Sequence, residues 1–146
     1  MTFDEHGLEQ RKATMVAMLD RIGETELSDI GAEDDERVVT ALAHIPEAPP
    51  HDSALIEYAE IYQRRRAGWE LSEFAYEFHQ RPPPGRRAYH WHEPWAHHFH
   101  CLDPRSPDVD DHYRGYEVDV FEAHRAFLRL YAEGEVDCSG LHPLRA

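Results

Sequence analysis

The chain has 146 residues, 41% hydrophobic and 30% charged, with a formal net charge of -14 at pH 7. That length suits one domain with a single core, and 3 Trp, 7 Tyr and 6 Phe exclude a wholly disordered polymer. The negative balance opposes broad phosphate binding, which draws on clustered Lys and Arg, so any contact with nucleic acid has to be local.

Fourteen of the 15 basic residues are Arg and Lys12 is the only lysine, against 29 carboxylates. This pattern fits a high-salt cytoplasm, as in a halophilic archaeon, where excess carboxylate keeps a surface hydrated; an acidic mesophilic protein from a GC-rich genome is the alternative. No apolar run approaches the roughly 20 residues that cross a bilayer, and the acidic start MTFDEHGLEQ has neither a basic nor an apolar leader region. The expectation is a cytoplasmic protein with no membrane partner. Cys101 and Cys138 are the only cysteines, expected to be reduced thiols or metal ligands more readily than a bridge.

In chain order, Thr2 as cap, then Leu8, Met15, Met18 and Leu19, and Gly23 past the end predict an amphipathic helix. The acidic ETELSDIGAEDDER predicts a loop, and the apolar run over 38–45 before PEAPP a short helix. Residues 1–53, with thirteen acids against four bases, therefore read as an acidic helical lead-in. ALIEYAEIYQ fits a helix through Leu55, Tyr58, Ala59 and Tyr62 or a strand through Ile56, Tyr58 and Tyr62. The alternation of Phe74, Tyr76 and Phe78 in WELSEFAYEF favours a strand pair joined by RRRAG, with Gly68 in the turn.

RPPPG then breaks the chain, and RRAYHWH and HHFHCLD on either side of EPWA predict a third and fourth strand. After the loop DPRSPDVDD comes YRGYEVDV, one more short strand. Asp119 and Glu122 match a capping box that opens a helix, with Phe121, His124, Phe127, Leu128 and Tyr131 on one face and Gly134 beyond its end. The predicted fold is one α+β domain over 1–146: an antiparallel β-meander packed by a C-terminal helix and one or two N-terminal helices, with 54–132 as its core and 133–146 as a tail.

Residues 89–101, YHWHEPWAHHFHC, hold five of the 12 histidines. Side chains alternate along strands, so His90 and His92 share a face, as do His98 and His100. A five-residue connection would set His92 opposite His98 and His90 opposite His100; a four-residue one would gather His90, His92, His97 and Cys101. Either hairpin suits a metal site, with His90, His92, His98, His100 and Cys101 as candidate ligands for zinc or another late transition ion, catalytic or purely structural. Asp103, Asp110, Asp111 and His112 can add a ligand or orient an imidazole.

A second chemistry needs no cofactor: His92, His98 and His100 act as general acid and base on a phosphodiester, helped by Arg86, Arg87 or Arg114, while Tyr89 and Trp91 stack a base. The inert alternative leaves His97 and His98 in a turn, His92 against a carboxylate, and nothing bound. Elsewhere, His124 reads as a core-edge residue, Tyr58, Phe74, Tyr76 and Phe78 as sheet packing, and Arg64, Arg65 and Arg66 as a solvated turn. A glycine-rich phosphate cradle, a G-x-S-x-G elbow and an H-E-x-x-H helix are all absent from the sequence.

The order of two aromatic strands, a polar break, HWHEPWAHHFH and a closing helix VFEAHRAFLRLY resembles the TumE-type toxin family and related small haloarchaeal proteins of unknown function. The likeness covers about residues 54–132 and is sharpest at His97, His98 and His100. It implies a toxin-like protein acting on RNA, with His98 and His100 near the working site and an antitoxin protein as partner; this is the leading functional expectation, and a zinc or other transition-metal site is the alternative. HWHEPW stands where that family would have an Arg-Tyr-Asp-like turn, and the acidic N-terminal segment is additional.

Overall fold

A computed structural model describes the chain at every residue except 34, 47–52, 82–84, 103–110, 116, 134–135, 137 and 139–146, and describes no side chain at 32, 33, 81, 111, 114 or 133. The elements are β1 (Thr2–Phe3), α1 (Glu5–Asp20), β2 (Glu24–Glu33), β3 (Glu36–Ile45), β4 (Ser53–Arg65), β5 (Gly68–Arg81), β6 (Gly85–His92), β7 (Ala96–Leu102), β8 (Asp111–Arg114) and α2 (Val120–Glu133). Strands β2 to β8 lie side by side in chain order, each antiparallel to the last, and β1 pairs with the start of β5. The α+β meander is thus present, with one helix at each end of the chain.

Strand alternation assigns the two faces. Val39, Ala41, Ala43 and Ile45 of β3, Ile56, Tyr58 and Tyr62 of β4, and Phe74, Tyr76 and Phe78 of β5 are all buried on one side. Against them pack Leu8, Met15 and Leu19 of α1 and Val120, Ala123 and Phe127 of α2. Each large side chain removed from water contributes about 1.5–3 kcal/mol. The opposite face carries the intervening residues, including Glu77 and His90, and the helices leave it uncovered.

Residues 24–45 depart from the expected loop and short helix: they form the hairpin β2–β3, continuous with the sheet. In β2 the acids lie along an edge strand, where carboxylates stay hydrated and discourage pairing with a second sheet. Asp29 turns inward, where Lys12 (2.7 Å) and Arg37 meet it. The apolar run of β3 is rich in β-branched residues and too short for periodicity to separate strand from helix. At the N-terminus Asp4 replaces Thr2 as the cap, its Oδ1 accepting the Gly7 N–H at 2.7 Å, because Thr2 is engaged in β1 opposite Glu70.

In α2, Asp119 Oδ1 accepts the Glu122 N–H at 2.8 Å, as the capping pattern predicts. The buried stripe starts one residue earlier than expected, at Val120, so Phe121 is 40% exposed and Leu128 half-buried. His124 is half-buried, its Nδ1 2.6 Å from the Tyr58 hydroxyl, and burial lowers its pKa. Gly134 lies outside the described residues. Gly68 turns the β4–β5 hairpin at φ +133°, a conformation that favours glycine.

One polar group interrupts the apolar face. Glu60 is fully buried and accepts hydrogen bonds from Arg11 Nε (3.0 Å), Arg11 Nη2 (2.7 Å), the Tyr62 hydroxyl (2.7 Å) and the Tyr76 hydroxyl (2.6 Å). Burial alone would depress the Arg11 pKa, but the adjoining carboxylate outweighs it and raises the pKa further. The four donors tie α1 to two central strands. Replacing Glu60 with Ala is expected to cost about 3–5 kcal/mol in urea unfolding, since it strands a buried guanidinium; a loss below about 1 kcal/mol would show that the network adds little.

Candidate metal centre

The β6–β7 hairpin closes through residues 93–95, which pairs His92 with Ala96, His90 with His98 and Ala88 with His100. This register is one pair tighter than the five-residue connection and has the same parity, so His90, His92, His98 and His100 converge as that arrangement requires. Strand β8 adds a fifth imidazole by setting His112 opposite His100. The ring centroids of His92 and His98 lie 4.7 Å apart, His90 and His100 4.6 Å, His98 and His100 5.2 Å, and His100 and His112 4.3 Å. Trp95 stacks on His112 at 4.8 Å.

Parity also removes two candidates. His97 points to the other face, beside Trp91 (5.8 Å) and Phe74 (6.0 Å). Cys101, opposite Arg87, is fully buried on that face and forms a disulfide with Cys138 across 5.9 Å between Cα atoms. It supplies no thiolate, contrary to the expectation of a ligand and of reduced cysteines, because the even spacing from the ligating pair ends at His100. Asp111 pairs with Cys101 and so belongs to the same strand position, while Asp103 and Asp110 lie outside the described residues. Among the described side chains, His112 joins the cluster.

Two groups of three have donor atoms all within 4.8 Å of one another: His90, His92 and His98, and His98, His100 and His112. Two nitrogens bound to one zinc ion at 2.0–2.1 Å stand at most about 4.2 Å apart, so small side-chain rotations close either set. His98 is 2% exposed. Its Nδ1 lies 3.0 Å from the Ala96 carbonyl oxygen, which fixes Nδ1–H as donor and leaves Nε2 with a lone pair and no hydrogen-bond partner. His92 donates Nδ1–H to the Glu93 carbonyl at 2.9 Å, which again frees Nε2.

Glu77 is the residue that sequence reasoning missed. It sits opposite Ala88 on the cluster's face, with Oε2 3.4 Å from His90 Nε2 and Oε1 2.7 Å from Arg86 Nη2 and 3.2 Å from His79 Nε2. Burial would raise its pKa, but those three donors outweigh it and hold the carboxylate ionised. A carboxylate behind a ligating imidazole orients the ring and raises its basicity. The available signal was the alternation of β5, which puts Glu77 on the side away from Phe74, Tyr76 and Phe78. Close approach of the chain after β8 shapes the site as well: a Cβ on Gly115 would come within 2.6 Å of the His98 Cα.

A cavity of about 650 Å³ lies elsewhere, at the sheet end bordered by His44 and His79. Leu55 stands between those two histidines in the strand pairing, and neither belongs to a described three-ligand group.

Burial, reinforced by repulsion from neighbouring imidazoles and, at His100, from Arg86, lowers the pKa of His98 to about 4 and of His100 to about 3. Both rings are therefore neutral at pH 7, the form that binds metal. In the unfolded chain they take up protons near pH 6.5, so metal-free protein binds fewer protons folded than unfolded in the window between. Its stability is expected to fall on the order of 2–3 kcal/mol between pH 7.5 and 5.5, read from denaturant midpoints. In a variant with both residues changed to Asn the slope should flatten; an unaltered slope would contradict the assignment.

No protein-family model, no curated protein and no solved structure matches this chain. The chemistry of the site has to be read from its own residues.

Proposed function

We propose that this chain is a transition-metal-binding protein whose site is the histidine cluster of β6, β7 and β8, with zinc the ion expected first. The observation that carries this is the convergence of five imidazoles on one face, forming two three-donor groups within 4.8 Å. Imidazole nitrogen donors suit zinc and other late first-row ions, whereas magnesium and calcium call for oxygen ligands. The unpartnered Nε2 of His98 supports the same reading, since a buried nitrogen without a partner is costly and an ion satisfies it.

The alternative, a toxin-like protein that acts on RNA through His92, His98 and His100 and is held by an antitoxin, also draws on their shared face. It has weaker support. A general acid must carry a proton at working pH, and burial keeps His98 and His100 unprotonated there. Arg86 is engaged by Glu77, and Arg87 lies over the Phe99 ring at 5.4 Å on the opposite face. Growth arrest on induction, relieved by replacing His98 and His100 with Ala, would favour this alternative.

No helix among the described residues is long and apolar enough to cross a membrane. The Cys101–Cys138 bond weighs against the cytoplasmic location expected from the sequence, since a lasting disulfide needs oxidising surroundings.

Metal content of protein purified without a His tag tests the proposal: a late first-row ion bound to the chain is expected, and zinc added to stripped protein should raise the Tm. At a free zinc concentration about 100 times Kd the gain is roughly 2.7 kcal/mol, equivalent to several degrees. Absence of metal combined with no shift would refute the proposal.

A further inference from the structure

Resting on that reading, we infer that the cluster holds one ion at a time in either of two overlapping three-imidazole sets that pivot on His98. The ion then moves between the sets by exchanging two ligands while keeping the third. This makes the centre a transfer site for a late first-row divalent ion.

The strand order supplies the first part of the argument. His90 and His92 stand on β6, His98 and His100 on β7, and His112 on β8, so His98 is on the middle strand with one set on each side. Strands are about 4.8 Å apart, which places β6 and β8 about 10 Å from each other. Both three-donor groups contain His98, and none of the described groups combines His92 with His112.

The hydrogen bond of His98 supplies the second part. Two ions sharing one imidazole need both ring nitrogens as donors of electron pairs. Nδ1 of His98 is committed as an N–H donor to the Ala96 carbonyl oxygen at 3.0 Å, so Nε2 alone can bind. A single Nε2 serves one ion. No carboxylate is among the two ligand sets to offset a second dication, and Glu77 behind His90 is already shared with Arg86 and His79.

Exchange follows from the spacing. His90 and His100, one from each set, have centroids 4.6 Å apart, and His98 lies 5.4 Å from His90 and 5.2 Å from His112. An incoming nitrogen is therefore within reach before the outgoing one has left, and the ion never has to be released to water. A structural zinc site, closed by four fixed ligands, has no such second position.

Cobalt(II) and copper(II) titrations of the stripped full-length chain test the inference, with visible absorption and electron paramagnetic resonance as readouts. Saturation at one ion per chain is expected, with two spectral species. His92→Asn should leave only the species of the β7–β8 set and His112→Asn only that of the β6–β7 set, each within about tenfold of the parent affinity. His98→Asn, whose amide can still donate to the Ala96 carbonyl in place of Nδ1, should lose more than the roughly 100-fold seen when an outer partner of a ligand is removed. The far-UV circular dichroism of each stripped variant verifies folding, and His98→Gln provides a second substitution if the first alters it. Saturation at two ions, a single species, or equal losses from all three variants would overturn the two-set model while leaving metal binding intact. No binding by the unaltered chain would overturn both.

Discussion

The pairing of His90 opposite His98 is the constraint on which the remaining features depend. Antiparallel strands put directly opposed side chains on the same face, and this one register settles the face of every residue from 86 to 102. It brings four imidazoles together, sends His97, Phe99 and Cys101 to the helical side, and lets β8 deliver His112 beside His100. A slip of one residue would exchange the two sets and place Cys101 among the histidines.

The same sheet performs two tasks because its faces are chemically separate. Aromatic residues and the two helices fill one side, fastened by the Glu60 network and by the disulfide that joins β7 to the segment after α2. The other side is occupied near β6 to β8 by the imidazoles and Glu77. A rigid strand triplet is a suitable base for ligands, since backbone pairing fixes Cβ positions and leaves only side-chain rotation to adapt to an ion. The net charge of -14 is compatible with attraction of cations.

Much of the second half of the fold was legible in the sequence. Strong alternation in β5, Pro-rich breaks and the cap at Asp119 each acted locally, so β4 to β7 and α2 fell close to their predicted places. The first half was obscured because β2 is an edge strand whose acids hide its alternation, and β3 is a short apolar run compatible with either period. The histidine face was legible as a set, whereas its register depended on the connection over residues 93–95, which periodicity does not determine. The alternation of β5 marks the face of Glu77, but its place behind His90, like the Cys101–Cys138 bond, depended on tertiary pairing. The resemblance to the TumE-type family drew on order of elements and on His97, His98 and His100, of which His97 turns away from the other two.

X-ray absorption at the zinc edge, on the folded protein with its disulfide intact, tests the account most directly. It predicts a first shell of nitrogen completed by light oxygen at about 2.0–2.2 Å and free of sulfur, with the outer scattering of three imidazole rings. Sulfur near 2.3 Å, or a shell of oxygen without imidazole scattering, would contradict it.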